Sequence, residues 1–169
     1  MNHIEELAQK SSRKQIPQLF KKIEWKAGTN NFDIGGGKYD DASIWLKDNH
    51  QVTNLVQDVF NRTPEHNCKM WNMATHLGVD TITLANVLNV IPSANDRHQV
   101  LVYANGVYKR NDRKATVYIS CYNAAGQPSV SECQTCMSLK DYLPEVKAVF
   151  NESRVTMKNG MIIVHPVED

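Results

Sequence analysis

No stretch of this sequence stays apolar for the roughly 20 residues that a membrane span requires. Its start, MNHIEELAQKSSRK, lacks the apolar core of a secretion signal. Both absences point to a cytoplasmic protein. Net charge is as scarce: 19 basic against 18 acidic residues leave +1, so there is no global field to hold nucleic-acid phosphates or an anionic bilayer. Any such contact has to be local. Cysteines number four, Cys68, Cys121, Cys133 and Cys136, and in a reducing compartment they are expected as thiols. Cys133 and Cys136 form a lone C-x-x-C. A closed zinc site wants four ligands, and the remaining candidates, Cys121 and His165, stand far along the chain in segments that read as strands. Clustered histidines are missing as well, since His50, His66, His76, His98 and His165 stand apart. No metal is expected.

Internal repeats, low-complexity segments and linkers are also absent, which leaves one domain over residues 1–169. With 41% hydrophobic and 22% charged residues the composition is that of a folded chain, large enough to bury a core without staples. Ile16, Leu19, Phe20 and Ile23 fall at helical spacing, so residues 1–28 are expected as an N-terminal helical segment with an amphipathic helix over 12–23 that covers a sheet. Strands are then expected at NNFDIG, VTNLVQDVF, DTITLANVLNVI and KATVYISCYN. Between them lie helical patterns at DDASIWLKD, at TPEHNCKMWNMATHLG behind Thr63 and Pro64, at SANDRHQVLVYANGVYKR behind Ser93, and later at SLKDYLPEVKAVF. Asn159-Gly160 between two β-rich segments signals a terminal hairpin. Alternation of this kind predicts an α/β fold: a mostly parallel sheet in a three-layer arrangement, with an antiparallel strand from the hairpin at its edge.

Three successive glycines, Gly35, Gly36 and Gly37, then fall between the first strand and the first helix. At the carboxyl edge of a parallel sheet, such a turn is where ligands carrying a nucleoside bind, because a residue without Cβ lets the ligand approach the backbone. A phosphate-cradling G-x-x-x-x-G-K-[ST] loop would need glycine at Phe32 and a small hydroxyl residue at Tyr39, so that pattern fails. The dinucleotide pattern G-x-G-x-x-G meets Asp40 where its third glycine belongs.

The pattern that fits is D-x-G-G-G at Asp33 to Gly37. It resembles the first motif of the S-adenosylmethionine-dependent methyltransferases of Rossmann-like fold, an acid followed by spaced glycines, with Tyr39 here in place of the last glycine. That family carries a second acid at the end of the next strand for the ribose hydroxyls, and Asp58 in LVQDVFNR matches its spacing. The stretches ANVLNVIP and DVFNRTPEHN are further similar to small phage proteins and to methyltransferases associated with DNA phosphorothioation, with Val59 where those have proline. The resemblance covers residues 30 to 105 and extends to the rest by layout. It implies S-adenosylmethionine as cofactor, with Asp33, Gly35, Gly36, Gly37, Tyr39, Asp58, Val59 and Asn86 around it. A single helix separates the Asp58 strand from ITLANVLNVI, so the family's third strand is absent from this layout, and RTPEHN is available to replace its loop.

For transfer, Asn89 and Tyr122, with the loop from Ala124 to Met137, follow strands in positions suited to an acceptor. On a strand, Asn86 and Asn89 would face opposite sides. NVLNVIP is not the Asn-Pro-Pro-aromatic signature of base-amino methylation. The acceptor therefore stays open, with nucleic acid among the candidates. So do two rival classes: a protein that binds the cofactor without transfer, and a small nucleic-acid or protein interaction module using Lys109, Arg110, Arg113 and Lys114.

Overall fold

A computed structural model describes residues 12–123, 135 and 137–167. Its sheet begins with β1 (Asn30–Ile34), flanked in parallel by β2 (Thr53–Gln57) and β3 (Thr81–Ala85). The full order is β2-β1-β3-β4-β6-β5, with β4 (Thr116–Ser120) parallel to β3 and the hairpin β5 (Val155–Lys158) and β6 (Met161–Val164) completing it. Only β6 runs against its neighbours, and it lies inside β5 rather than on the edge as expected. Asn159 and Gly160 take the positive φ values, 54° and 71°, that a two-residue hairpin turn demands.

Local chemistry opens the helices where the sequence indicates. The Thr63 hydroxyl accepts the His66 amide at 3.2 Å ahead of α2 (Pro64–His76), and the Ser93 hydroxyl accepts that of Asp96 at 3.3 Å ahead of α3 (Ala94–Arg110). A reciprocal Ser138–Asp141 capping box starts α4 (Leu139–Val149). Helix α1 (Asp41–His50) follows the glycine turn, and the Asp40 side chain at its start accepts no cap bond.

Strand alternation divides the interior into two cores. Phe32, Leu55, Ile82, Leu84, Val117 and Ile119 face α2, α3 and α4, where Phe32, Trp71 and Tyr103 pack ring on ring. On the other side Ala42 and Leu46 of α1 pack with Leu19, Phe20 and Ile23. The expected helix over 12–23 is not formed. The described residues 12–28 are turns, held by Phe20 N–H to Pro17 O and Lys22 N–H to Leu19 O, both 3.0 Å. Pro17 explains this, since it has no N–H to donate and pushes Ile16 out of the helical region. The apolar residues nevertheless cover the sheet as the spacing implied.

The run ITLANVLNVI also departs from expectation. Strand β3 stops at Ala85, Asn86 takes φ 59°, and Leu88–Val90 form one 3₁₀ turn. Asn86 and Asn89 therefore do not occupy opposite faces of a strand.

Candidate functional site

The site is built where the sheet changes direction of winding, at the carboxyl ends of β1, β2 and β3. The chain leaves β1 through Gly35 at φ 73° and Gly37 at φ 77°. A Cβ on Gly35 would meet Val87 Cγ2 at 2.7 Å, one on Gly36 would meet Val56 Cγ1 at 2.8 Å, and one on Gly37 would meet Ser12 Oγ at 2.6 Å. All three glycines are thus required by the protein's own packing, and Gly35 and Gly37 by their backbone angles as well.

The segment after β2 folds back onto this turn. Asp58 Oδ2 accepts the Gly37 N–H at 2.9 Å, while Arg62 Nε donates to the Gly37 carbonyl at 2.8 Å and Arg62 Nη2 to Asp40 Oδ1 at 2.7 Å. Asp58 Oδ1 accepts the amides of Phe60 and Asn61 at 3.0 and 2.9 Å and the Asn61 Nδ2 group at 3.1 Å. Asn67 closes the loop from below. Its Oδ1 accepts the Asp58 N–H at 3.0 Å and its Nδ2 donates to the Asp58 carbonyl at 2.9 Å. His66 Nε2 donates to Val56 O at 2.8 Å, which puts the ring proton on that nitrogen. Gly35 N–H reaches Gln57 O at 2.7 Å.

Beneath the turn lies a polar layer unusual for a parallel sheet covered on both faces. Asp33 is 2% exposed and accepts the Thr83 hydroxyl at 2.9 Å. Asn54 Nδ2 donates to Ser43 Oγ at 3.0 Å and reaches Asp33 Oδ2 at 3.5 Å. Asn31 Nδ2 donates to Asn54 Oδ1 and Thr83 Oγ1 at 2.7 and 2.9 Å. Burial pushes the Asp33 carboxyl up to about 7, against the pull of the Thr83 and Asn54 hydrogen bonds, with the Asp58 charge raising it and Arg62 lowering it.

The structure brings together Asp33, Gly35, Gly36, Gly37 and Asp58 of the sequence-expected cofactor set. Asn86 joins them through the chain: its N–H bonds Ser120 O at 2.8 Å, and the next residue, Val87, packs on Gly35. Tyr39 and Val59 stand outward, 36% and 67% exposed, and Lys38 Nζ lies 5.1 Å from the centre of the Tyr39 ring. Asn89 is wholly buried in the 3₁₀ turn, its carbonyl accepting the Thr135 N–H at 2.7 Å, whereas Tyr122 beyond β4 is 41% exposed. Next to them burial pushes the Cys121 thiol up to about 12, which disfavours its thiolate. The loop from Ala124 to Met137 falls outside the described residues except for Thr135 and Met137, and Cys133 and Cys136 lie outside them entirely.

Sequence reasoning missed Ser12, Asn54, Arg62, His66, Asn67 and Thr83. The density of polar residues in DVFNRTPEHN was the available signal for Arg62, His66 and Asn67, and the alternating threonines of DTITLA for Thr83. Among the described residues no group of three or more metal-ligating side chains occurs, and no helix is long and apolar enough to cross a membrane. A broad groove runs along the outer face of α2 past Pro64, Cys68, Met73 and Leu77, and none of the glycine-turn residues lines it. No protein-family model matches the chain, and no curated protein matches it.

Proposed function

We propose that this is a cytoplasmic, Rossmann-like methyltransferase that binds S-adenosylmethionine over the glycine turn, with an acceptor that includes nucleic acid among its candidates. The observation that carries the reading is the joining of Gly37 to Asp58 at 2.9 Å across the carboxyl ends of β1 and β2. It sets a carboxylate that accepts hydroxyl hydrogens beside a backbone without side chains. Strand order adds support: it is the doubly wound order with the third strand removed and a hairpin added at the far edge. The missing phosphate loop fits too, since a sulfonium nucleoside brings no pyrophosphate.

S-adenosylmethionine supplies an activated methyl group that leaves by in-line displacement. This chain's part is to orient and to exclude water. Asp58 takes ribose hydroxyl, Arg62 and Asn67 hold Asp58 and Gly37 in register, and Val87 closes the turn from the β3 side.

The complete burial of Asn89 favours a second reading, a protein that binds the cofactor without transferring its methyl group, because a side chain so buried is not presented to an acceptor. Calorimetric titration of the full chain with S-adenosylhomocysteine tests the binding common to both. Saturable binding is expected, with a rise in Tm equivalent to about 2.7 kcal/mol at a hundred times Kd. A flat titration of folded protein at millimolar ligand overturns both readings. Turnover of methyl-labelled cofactor against nucleic acid, protein and small-molecule acceptors then separates them.

A further inference from the structure

Asp58 is the acid to which the proposed cofactor site assigns the ribose, and its hydrogen-bonding capacity is nearly used up within the protein. A carboxylate offers about four acceptor positions over its two oxygens. Oδ1 already receives three donors: the Phe60 amide at 3.0 Å, the Asn61 amide at 2.9 Å and Asn61 Nδ2 at 3.1 Å. Oδ2 receives one, the Gly37 amide at 2.9 Å. Three of these four donors are main-chain groups, fixed by the turn after β2 and by the glycine turn, so no change of rotamer elsewhere releases them. Asn67 pins the Asp58 backbone on both its N–H and its carbonyl. Asp58 is 7% exposed.

We infer that Asp58 takes one hydroxyl of the cofactor's ribose, through Oδ2 alone, and does not grip the 2′,3′-diol as a pair. The inference rests on the S-adenosylmethionine reading and narrows it. Asp33 cannot take the second hydroxyl: it is 2% exposed, lies beneath the turn, and faces Thr83 and Asn54. The second hydroxyl is therefore held by neither of these two acids. Nucleoside selection at this acid then depends on a single hydroxyl, and the site accepts an analogue lacking the other one.

The test is a set of calorimetric titrations of the full chain with S-adenosylhomocysteine and with its 2′-deoxy and 3′-deoxy analogues. One deoxy analogue is expected to bind about tenfold to a hundredfold more weakly, the loss of one charge-assisted hydrogen bond. The other is expected to bind within about threefold of the parent. Equal large losses for both analogues overturn the inference while leaving the cofactor reading intact, because the carboxylate would then hold both hydroxyls. Unchanged binding of both overturns it as well, since Asp58 would then touch neither. Failure of S-adenosylhomocysteine itself to bind removes the cofactor reading and this inference together. Asp58→Ala, measured on its folded fraction, is expected to erase the difference between the two analogues, and discrimination that persists in it assigns the hydroxyl to another group and refutes the inference. Should the alanine variant not fold, Asp58→Asn carries the same comparison, with discrimination expected to shrink and refutation if it is undiminished.

Discussion

Replacing Asp33 by asparagine removes a carboxyl that burial holds well above its ordinary range. The carboxyl sits 2% exposed under Gly36, with one good hydrogen bond from Thr83 at 2.9 Å and a marginal one from Asn54 at 3.5 Å. That is too little to offset loss of water, and burial raises the group from 3.8 to about 7. The folded state therefore binds this proton more tightly than the unfolded chain does. Its contribution to stability is complete below pH 3.8 and is lost as pH rises through about 7. At about 1.4 kcal/mol per tenfold, that interval corresponds to an effect on the order of 4 kcal/mol. Asp141, held low by its bonds to Ser138, loses its own contribution only as pH falls below the ordinary carboxylate range, so it does not mask the slope. Urea unfolding followed by tryptophan fluorescence at several pH values between 5 and 8.5 is expected to show wild-type stability falling with pH. Asp33→Asn is expected to flatten that slope. Its amide nitrogen would face the Asn54 amide, so its gain at pH 8 is expected to be smaller, about 1 to 2 kcal/mol. A wild-type curve flat over this range, or an equal slope in the variant, would refute the burial argument.

Three further outcomes follow from the same geometry. Gly35→Ala places a Cβ 2.7 Å from Val87 Cγ2 at φ 73°, so thermal unfolding should show a loss of about 2 kcal/mol or more, with or without ligand; a loss below about 0.5 kcal/mol would mean the turn relaxes freely. Arg97→Met leaves Glu145 without the guanidinium that holds it at 2.9 and 2.7 Å and frees the Ile91 and Pro92 carbonyls, so urea titration should show about 3 kcal/mol of destabilisation. Asp58→Ala unties the amides of Gly37, Phe60 and Asn61, so it should lower stability by about 1 to 2 kcal/mol and S-adenosylhomocysteine affinity by about tenfold to a hundredfold, with Asp58→Asn milder in both. Unaltered affinity on the folded fraction would remove Asp58 from the cofactor site.

What the sequence determined by itself was whatever depends on neighbours a few residues away. Thr63 before Pro64, Ser93 before Ala94, and Asn159-Gly160 each act within a single turn, so the starts of α2 and α3 and the terminal hairpin were legible directly. Short β-rich runs likewise made β1 to β4 legible, and the resemblance carried by Asp33, Gly35, Gly37 and Asp58 implied that the glycine turn and Asp58 share one sheet edge, where Asp58 bonds Gly37. The tertiary structure decided the rest. Residues 12–23 have helical spacing, but Pro17 breaks the hydrogen bonding, and their apolar side chains are buried as turns by contact with α1. Asn86 turns out of the strand at φ 59° while its N–H still bonds Ser120 O of β4, 34 residues away along the chain. Nor does a glycine's spacing reveal that Val87, Val56 and Ser12 occupy the space its Cβ would fill. The upward shift of the Asp33 carboxyl and the crowded acceptors of Asp58 have the same origin. Both are set by how much water and how many main-chain donors the folded chain leaves around a carboxylate, quantities that arise only when distant segments pack.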